Sequence, residues 1–323
     1  MKGYLVALQR WFDTSAGEGP TGEAGADRID WLRCIPFVLL HAAVLLVFFV
    51  GWSWTAVGLA VALYVIRMFS LTAFYHRYFS HRTFKTSRPA QFIFALAGSS
   101  CAQRGPLWWA SLHRHHHRVS DRPEDPHSPK HHGFLWSHMG WFMARRNFAT
   151  RVEHIRDFHR FPELRILDRF DILAPCLGAL GVYAAGEVLA ATAPGLGTNG
   201  AQLLVWSIVS TVVLFHCTSS INSLGHLFGR RRYETTDTSR NSFLLSLLAL
   251  GEGWHNNHHH YQSSARLGHR RWEIDLAWYG LLALSRLGII WNLQPVPDRL
   301  QHRPHPEPCQ ATSRFTSESR VVR

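Results

Sequence analysis

The sequence predicts an all-α integral membrane fold, with four transmembrane helices arranged as two hairpins and a helical cytoplasmic cap that carries a histidine-rich metal site. Three observations carry this expectation. The mean hydropathy of −0.08 conceals long apolar runs. Glycine-containing breaks divide those runs into pairs, and histidine and arginine crowd the segments between them.

Taken in order, residues 1–30 form a flexible N-terminal segment. Its amphipathic start, 4–12, suits a membrane surface or a frayed terminus alike, and a Gly/Ser/Glu-rich linker follows. Residues 35–74 are almost uninterruptedly apolar, roughly twice the length of one bilayer crossing at a 1.5 Å rise per residue. They read as spans at about 35–51 and 55–74 around Gly51-Trp-Ser-Trp54, whose tryptophans favour the bilayer interface. The stretch 79–169 is too long and too aromatic for a linker, and within it 88–101 reads as a short re-entrant or surface helix. A second hairpin spans 170–193 and 200–224, broken by Pro194-Gly-Leu-Gly-Thr-Asn-Gly200. Beyond it, 241–254 and 273–290 read as amphipathic or semi-buried helices, with Arg286 placing the second on the cytoplasmic face. The membrane domain is therefore 31–294, and 295–323 reads as a disordered, Pro/Arg/His/Ser-rich tail.

Both hairpin tips lack Lys and Arg, so the basic segments and both termini are placed in the cytoplasm. The formal charge of +12 is then partly topological and partly an attraction to anionic lipid and acidic partners. Nucleic acid is excluded as a partner, because no compact basic fold is left over to bind it. Residues 1–30 are polar, which leaves no cleavable signal peptide evident. The five cysteines form no C-x-x-C pair and read as reduced and structural.

Three clusters stand between the apolar runs: His76-Arg-Tyr-Phe-Ser-His81, His113-Arg-His-His116-His117 and His255-Asn-Asn-His258-His259. Eight imidazoles at these spacings are too many for one tetrahedral metal and suit two adjacent metals. Residues at i, i+3 and i+4 share a helix face, so each H-x-x-H-H cluster aims three rings at one locus. His76 and His81 lie about 140° apart on an α-helix, which makes them either span two metals or straddle a helix end. Isolated histidines, namely His41, His154, His159, His269, His302 and His305, read as ordinary packed or solvated side chains. Imidazole suits zinc, copper, nickel and iron, so ligand type alone does not name the metal. The ligand number beside apolar spans argues for a pair of redox metals.

The H-x4-H, H-x-x-H-H and H-x-x-H-H order around two hairpins resembles the integral-membrane fatty acid desaturases, and the first spacing resembles their stearoyl-CoA (Δ9) branch. Asp125-Pro-His-Ser-Pro129, Gly133-Phe-Leu-Trp-Ser-His138 and Asn222-Ser-Leu-Gly-His226 extend the likeness. The resemblance implies two iron ions, with O2 as co-substrate and a cis double bond, at Δ9 in that branch, as product. It assigns His76, His81, His113, His117 and His258 to one iron and His116, His226, His255 and His259 to the other. Asn222 would hold a water on the metal. His115 is not a ligand in this scheme, and His127 and His138 are supporting residues. Removing hydrogen from an unactivated methylene is beyond any side chain, so a metal centre must carry it.

Gln103, Trp109 and Thr218 match the residues that kink the acyl chain, and Tyr64 and Met68 match those that close the far end of the tunnel. Where CoA-dependent relatives carry an Arg-Asp pair and a tryptophan, this chain has Ser111-Leu112 and Ser219. The acyl carrier therefore stays open between CoA and a glycerolipid, with Arg104 and Arg82 as other phosphate contacts. The chain carries no flavin fingerprint, iron–sulfur spacing or room for a fused haem domain. Electrons are expected from a separate donor, ferredoxin, rubredoxin or cytochrome b5-like, with its reductase. Two rivals remain: a hydroxylase or ketolase of the same superfamily, and a metal transporter. The transporter needs more intramembrane ionisable groups than His41 and Arg67.

Overall fold

The computed structural model describes residues 2–16 and 26–301. The linker between these stretches and the tail from 302, with His302, His305 and Cys309, lie outside the described residues. In chain order the elements that build the site are α1 (Trp31–Val50), α2 (Trp54–Ser80), α3 (Arg88–Ser99), α4 (Pro106–Val119), α5 (Leu173–Thr192), α6 (Gly200–Leu227), α7 (His255–His260) and α8 (Leu276–Arg286). Helices α1, α2, α5 and α6 are long and apolar enough to cross a membrane. The strands β1 (Lys85–Thr86) and β2 (Ile290–Trp291) form one short antiparallel pair.

Polar caps set the helix starts. Asp30, Ser53 and Asn199 accept hydrogen bonds from the first-turn amides of α1, α2 and α6. Asp168, far along the chain, accepts from the Trp108 amide at 2.7 Å and so caps the helix that carries the second histidine cluster. Gly51, with φ of 69°, makes the turn between α1 and α2 that a Cβ would strain.

Helix α6 is the hub, in contact with α1, α2 and α5, and α1 packs chiefly on α6. The α5–α6 contact is close because Gly186 and Gly200 face it, where a Cβ on either would overlap the opposite helix. Ser210 donates to the Ala60 carbonyl at 2.7 Å and ties α6 to α2. Of the two deep polar groups, Arg67 donates to Thr211 at 2.8 Å, and the Nδ1 atom of His41 sits 2.9 Å from the Phe37 carbonyl.

Several boundaries depart from the sequence reading. The second span does not stop at 74. It continues to Ser80 as a π-helix over Ser70–Ser80, every residue of which is buried. The π-turn also corrects the 140° separation of His76 and His81. The His81 amide donates to the His76 carbonyl at 3.2 Å, and this i→i+5 link stacks the two residues on one face.

The segment 241–254 is helical only over Phe243–Leu248, and of 273–290 only Leu276–Arg286 is helical, with Arg286 in its last turn. Residues 295–301, assigned to the tail, are ordered, because Val296 and Leu300 pack against Tyr233 and cover its ring. Among the described residues of the N-terminal stretch, Trp11 and Asp13 are packed against the membrane domain. Lys2–Phe12 is helical, Trp11 donates to the Leu32 carbonyl, and Asp13 pairs with Arg169 at 2.7 Å.

Candidate metal centre

Four elements deliver the nine histidines. The π-turn of α2 contributes His76 and His81, α4 contributes His113, His116 and His117, the last turn of α6 contributes His226, and α7 contributes His255, His258 and His259. They gather into two groups, each with ring nitrogens within 4.8 Å of one another. His76, His81, His113, His117 and His258 form one, and His116, His226, His255 and His259 form the other. His115, between two members of the second cluster, turns away. Its ring nitrogens lie 3.2 Å from His154 and 3.2 Å from the Glu124 carbonyl.

The nitrogens meet in a way that protons cannot satisfy. The Nε2 atom of His113 is 2.9 Å from those of both His81 and His117, and the Nε2 atom of His258 is 2.9 Å from His76 and 3.0 Å from His117. An imidazole nitrogen offers one in-plane site, holding either a proton or a lone pair, so an atom facing two others cannot bond to both. A cation resolves the conflict: two nitrogens at right angles on a metal, each about 2.1 Å away, are about 3.0 Å apart. In the other group His226 and His255 meet at 3.0 Å, while the Nε2 atoms of His116 and His259 are buried without a partner. The residues present therefore fit two metal ions.

Carboxylates stand behind four of these rings, and three of them, Asp125, Asp121 and Asp237, are hydrogen-bonded to the ring. Glu252 lies 2.6 Å from Nδ1 of His76, Asp125 3.0 Å from that of His116, Asp121 3.2 Å from that of His226 and Asp237 2.7 Å from that of His259. An acceptor at Nδ1 keeps the proton there and leaves Nε2 free to bind a metal. Burial opposes ionisation of Asp121, Asp125 and Asp237, yet their imidazole partners hold all three well below the usual carboxylate range. Sequence reasoning missed Asp121, Asp237 and Glu252. Asp125 was noticed only as part of a motif, since nothing in their spacing marks a partner that the chain brings from a distance. His127, tilted against the His116 ring at 4.2 Å, forms a third buried group with His116 and Asp125. His138 lies apart, between Ser223 and His216.

Burial, with repulsion from neighbouring imidazoles, holds His81, His113, His117, His255 and His258 well below the ordinary value of about 6.5. His259 falls to about 4 for the same first reason, with Asp237 opposing it. These rings are neutral at pH 7, as metal binding requires. Below pH 6.5 the unfolded chain takes up protons that the folded chain refuses, so this part of the stability is lost as pH falls from 6.5 toward the folded values. The metal-free protein is expected to unfold at a progressively lower temperature between pH 7 and pH 5. Scanning fluorimetry across that range checks it, and a flat profile would count against the neutral cluster.

One cavity touches both groups. Its wall includes His76, His113, His116, His255 and Asn222, and it continues past Gln103, Trp109 and Thr218 to Met68. Gln103 donates to the Thr218 hydroxyl at 3.2 Å, and Trp109 stacks on His113 with ring centroids 5.0 Å apart. Tyr64 is one turn beyond Met68, outside the lining, with its hydroxyl donating to the Leu248 carbonyl. Ala102 and Arg104, which bracket Gln103, and Asp121 and Leu250 nearby all hold positive φ. Such strain, of order 1–3 kcal/mol per residue, persists where the surrounding structure imposes it. Ser111 is buried and bonded to the Trp108 carbonyl and the Arg151 amide, while Leu112 and Ser219 line the cavity. Arg82 is largely exposed beside Asp157.

The fatty acid desaturase family profile matches residues 52–295. The chain is 35% identical to the sn-1 stearoyl-lipid 9-desaturase of Anabaena variabilis, over 83% of this chain and 94% of that protein. It is 36% identical to the sn-1 stearoyl-lipid 9-desaturase of Synechocystis sp., over 83% of this chain and 81% of the relative. A third relative, the acyl-CoA 5-desaturase AL21 of Anemone leveillei, is 35% identical over 78% of this chain and 75% of its own length. With relatives at this identity along most of its length, the same family's profile over its membrane domain, and two imidazole groups arranged for metal ligation, the chain belongs to the fatty acid desaturase family.

Proposed function

We propose that the protein is an O2-dependent acyl desaturase that introduces a cis double bond at Δ9 of a saturated long-chain acyl group. The observation that carries this reading is the cavity that runs past both imidazole groups and the Gln103–Thr218 pair to Met68. In this reading His76, His81, His113, His117 and His258 hold one iron, and His116, His226, His255 and His259 hold the other. Asn222, one helical turn before His226, lines the same cavity and would hold a water beside the second iron. When bound, the iron pair supplies reductive activation of O2 and the removal of two hydrogens from adjacent carbons.

The side chains do the rest. Trp109, fixed against His113, forms a rigid wall, and Gln103 with Thr218 clamps the bend opposite it, so the chain crosses the metal edge in one register and in a cis-competent shape. Met68, backed by Tyr64, limits how far the methyl end travels. The Nδ1 acceptors Asp125, Asp121 and Asp237 keep His116, His226 and His259 in one tautomer, and Glu252 stands beside Nδ1 of His76. The metal site faces the cytoplasm, where a separate one-electron donor of the ferredoxin, rubredoxin or cytochrome b5 kind reaches it. Position 9 is supported by the names of the two stearoyl-lipid 9-desaturases, whereas the third relative is named for position 5 and for an acyl-CoA carrier.

Expression in a desaturase-deficient host, followed by gas chromatography with double-bond localisation, tests this reading. A cis-Δ9 monoene is expected. A hydroxy acid without new unsaturation would overturn the reading in favour of a hydroxylase.

A further inference from the structure

Two apolar segments of the cap stand at membrane depth although neither is long enough to cross. The short helix Phe243–Leu248 and α8 carry no Asp, Glu, Lys, Arg or His from position 242 to 251 or from 276 to 285. They are joined to each other. The Ala277 amide donates to the Leu250 carbonyl at 2.8 Å, and the Ser246 hydroxyl donates to the Ile274 carbonyl at 3.1 Å. Their outward side is apolar: Leu244 is 64% exposed, and Phe243, Leu247, Leu276, Tyr279 and Leu287 are exposed with it.

Their depth follows from α2. Its first residue, the exposed Trp54, stands at the turn after α1 and marks one edge of the bilayer. From position 54, Tyr64 and Phe69 lie about 15 and 22 Å further along a helix that rises 1.5 Å per residue, and any tilt reduces both depths. The hydrocarbon layer is about 30 Å thick. The Tyr64 hydroxyl donates to the Leu248 carbonyl at 2.7 Å, and Gly280 sits so close to the Phe69 ring that a Cβ there would overlap it. Both segments therefore touch α2 within the hydrocarbon layer. The exposed side of α2 reaches them, because Val61, Val65 and Ile66, on the turns around Tyr64, are exposed as well.

We propose that Phe243–Leu248 and α8 are immersed in the leaflet nearer the histidine clusters, with lipid acyl chains as the partner of this face. Trp272 and Trp291, exposed on either side of α8, then stand at the interface that tryptophan favours. The first segment runs directly into Glu252 and His255, so the bilayer braces the stretch of chain that carries the third histidine cluster. Ala249 lines the cavity while Leu247 and Leu248 face outward, which makes this segment part of the partition between cavity and leaflet.

The test uses the full-length protein in phosphatidylcholine nanodiscs that contain a phospholipid with a mid-chain diazirine. After irradiation, lipid adducts are mapped by mass spectrometry. Adducts on 243–248 and 276–287 are expected within about threefold of those on 61–66 of α2, and about tenfold or more above those on the polar helix Val152–His159, because hydrocarbon contact is needed for labelling. Labelling no higher than that of Val152–His159 would overturn the proposal. Cross-links between two copies through Leu244, without lipid adducts there, would assign the face to a second copy and overturn it too.

A substitution gives opposite signs in the two environments. Leu244 is the second residue of its helix, after the Ser242 cap. In water, Asp at that position is favoured by the helix dipole, whereas in hydrocarbon it is costly. Leu244→Asp is therefore expected to lower the unfolding temperature in nanodiscs by about 3 °C or more. An unchanged or raised unfolding temperature would place the segment in water and count against the proposal. Should the variant fail to fold, the adduct pattern of the wild-type protein still decides.

Discussion

His226→Ala is expected to abolish desaturation and to lower bound iron by about half, whereas His115→Ala leaves both unchanged. His226 is the one residue of its group that comes from α6, and its ring faces His255 at 3.0 Å while Asp121 holds the opposite nitrogen. Truncation leaves three imidazoles from α4 and α7 with no ligand from the α6 side. His115 is the matched control, on the same helix as three ligand candidates but bonded to His154 and the Glu124 carbonyl. Elemental analysis of purified protein and fatty acid profiling of the expressing host give the two readouts. Full activity and full iron in His226→Ala would remove it from the metal site.

Asp121→Ala is expected to lower metal affinity at the second group by about 10–100-fold and to destabilise the protein by about 3 kcal/mol. The carboxylate joins three parts of the chain at once. Its Oδ2 atom accepts from the Thr238 amide and hydroxyl, both at 2.6 Å, and lies 3.2 Å from His226, while its Oδ1 atom accepts from Ser128 at 2.5 Å. Removal leaves buried donors unsatisfied and frees the His226 ring to turn. Asp121 also holds φ at 56°, a conformation that Asp tolerates better than Ala does, which adds to the cost. Metal titration and thermal unfolding of the metal-free protein separate the two effects. Wild-type affinity in the variant would show that His226 is oriented by packing alone.

Much of the site was legible because its signals are local. The i, i+3, i+4 spacing that sets His113, His116 and His117 on one side of a helix and His115 on another is a property of the helical repeat, and α4 displays it directly. Apolar length likewise revealed the four spans, since hydrocarbon demands about 20 residues per crossing whatever their neighbours are. The spacing of His76 and His81 was misleading for a physical reason. An α-helical period was assumed where the chain adopts a π-turn, and a side-chain pattern carries no direct mark of which carbonyl each amide will choose.

By itself, the sequence determined the number and type of the candidate metal ligands, the apolar segments between which they stand, and the separation of His115 from its neighbours. Only the tertiary structure decided which nitrogens meet, which carboxylates stand behind them, and that Arg10 and Trp11 of the N-terminal helix share a cavity wall with the histidines. Asp121 reaches His226 across 105 positions, and Glu252 reaches His76 across 176. Contacts of that range depend on how α2, α4, α6 and α7 pack together, and no spacing within one segment encodes them.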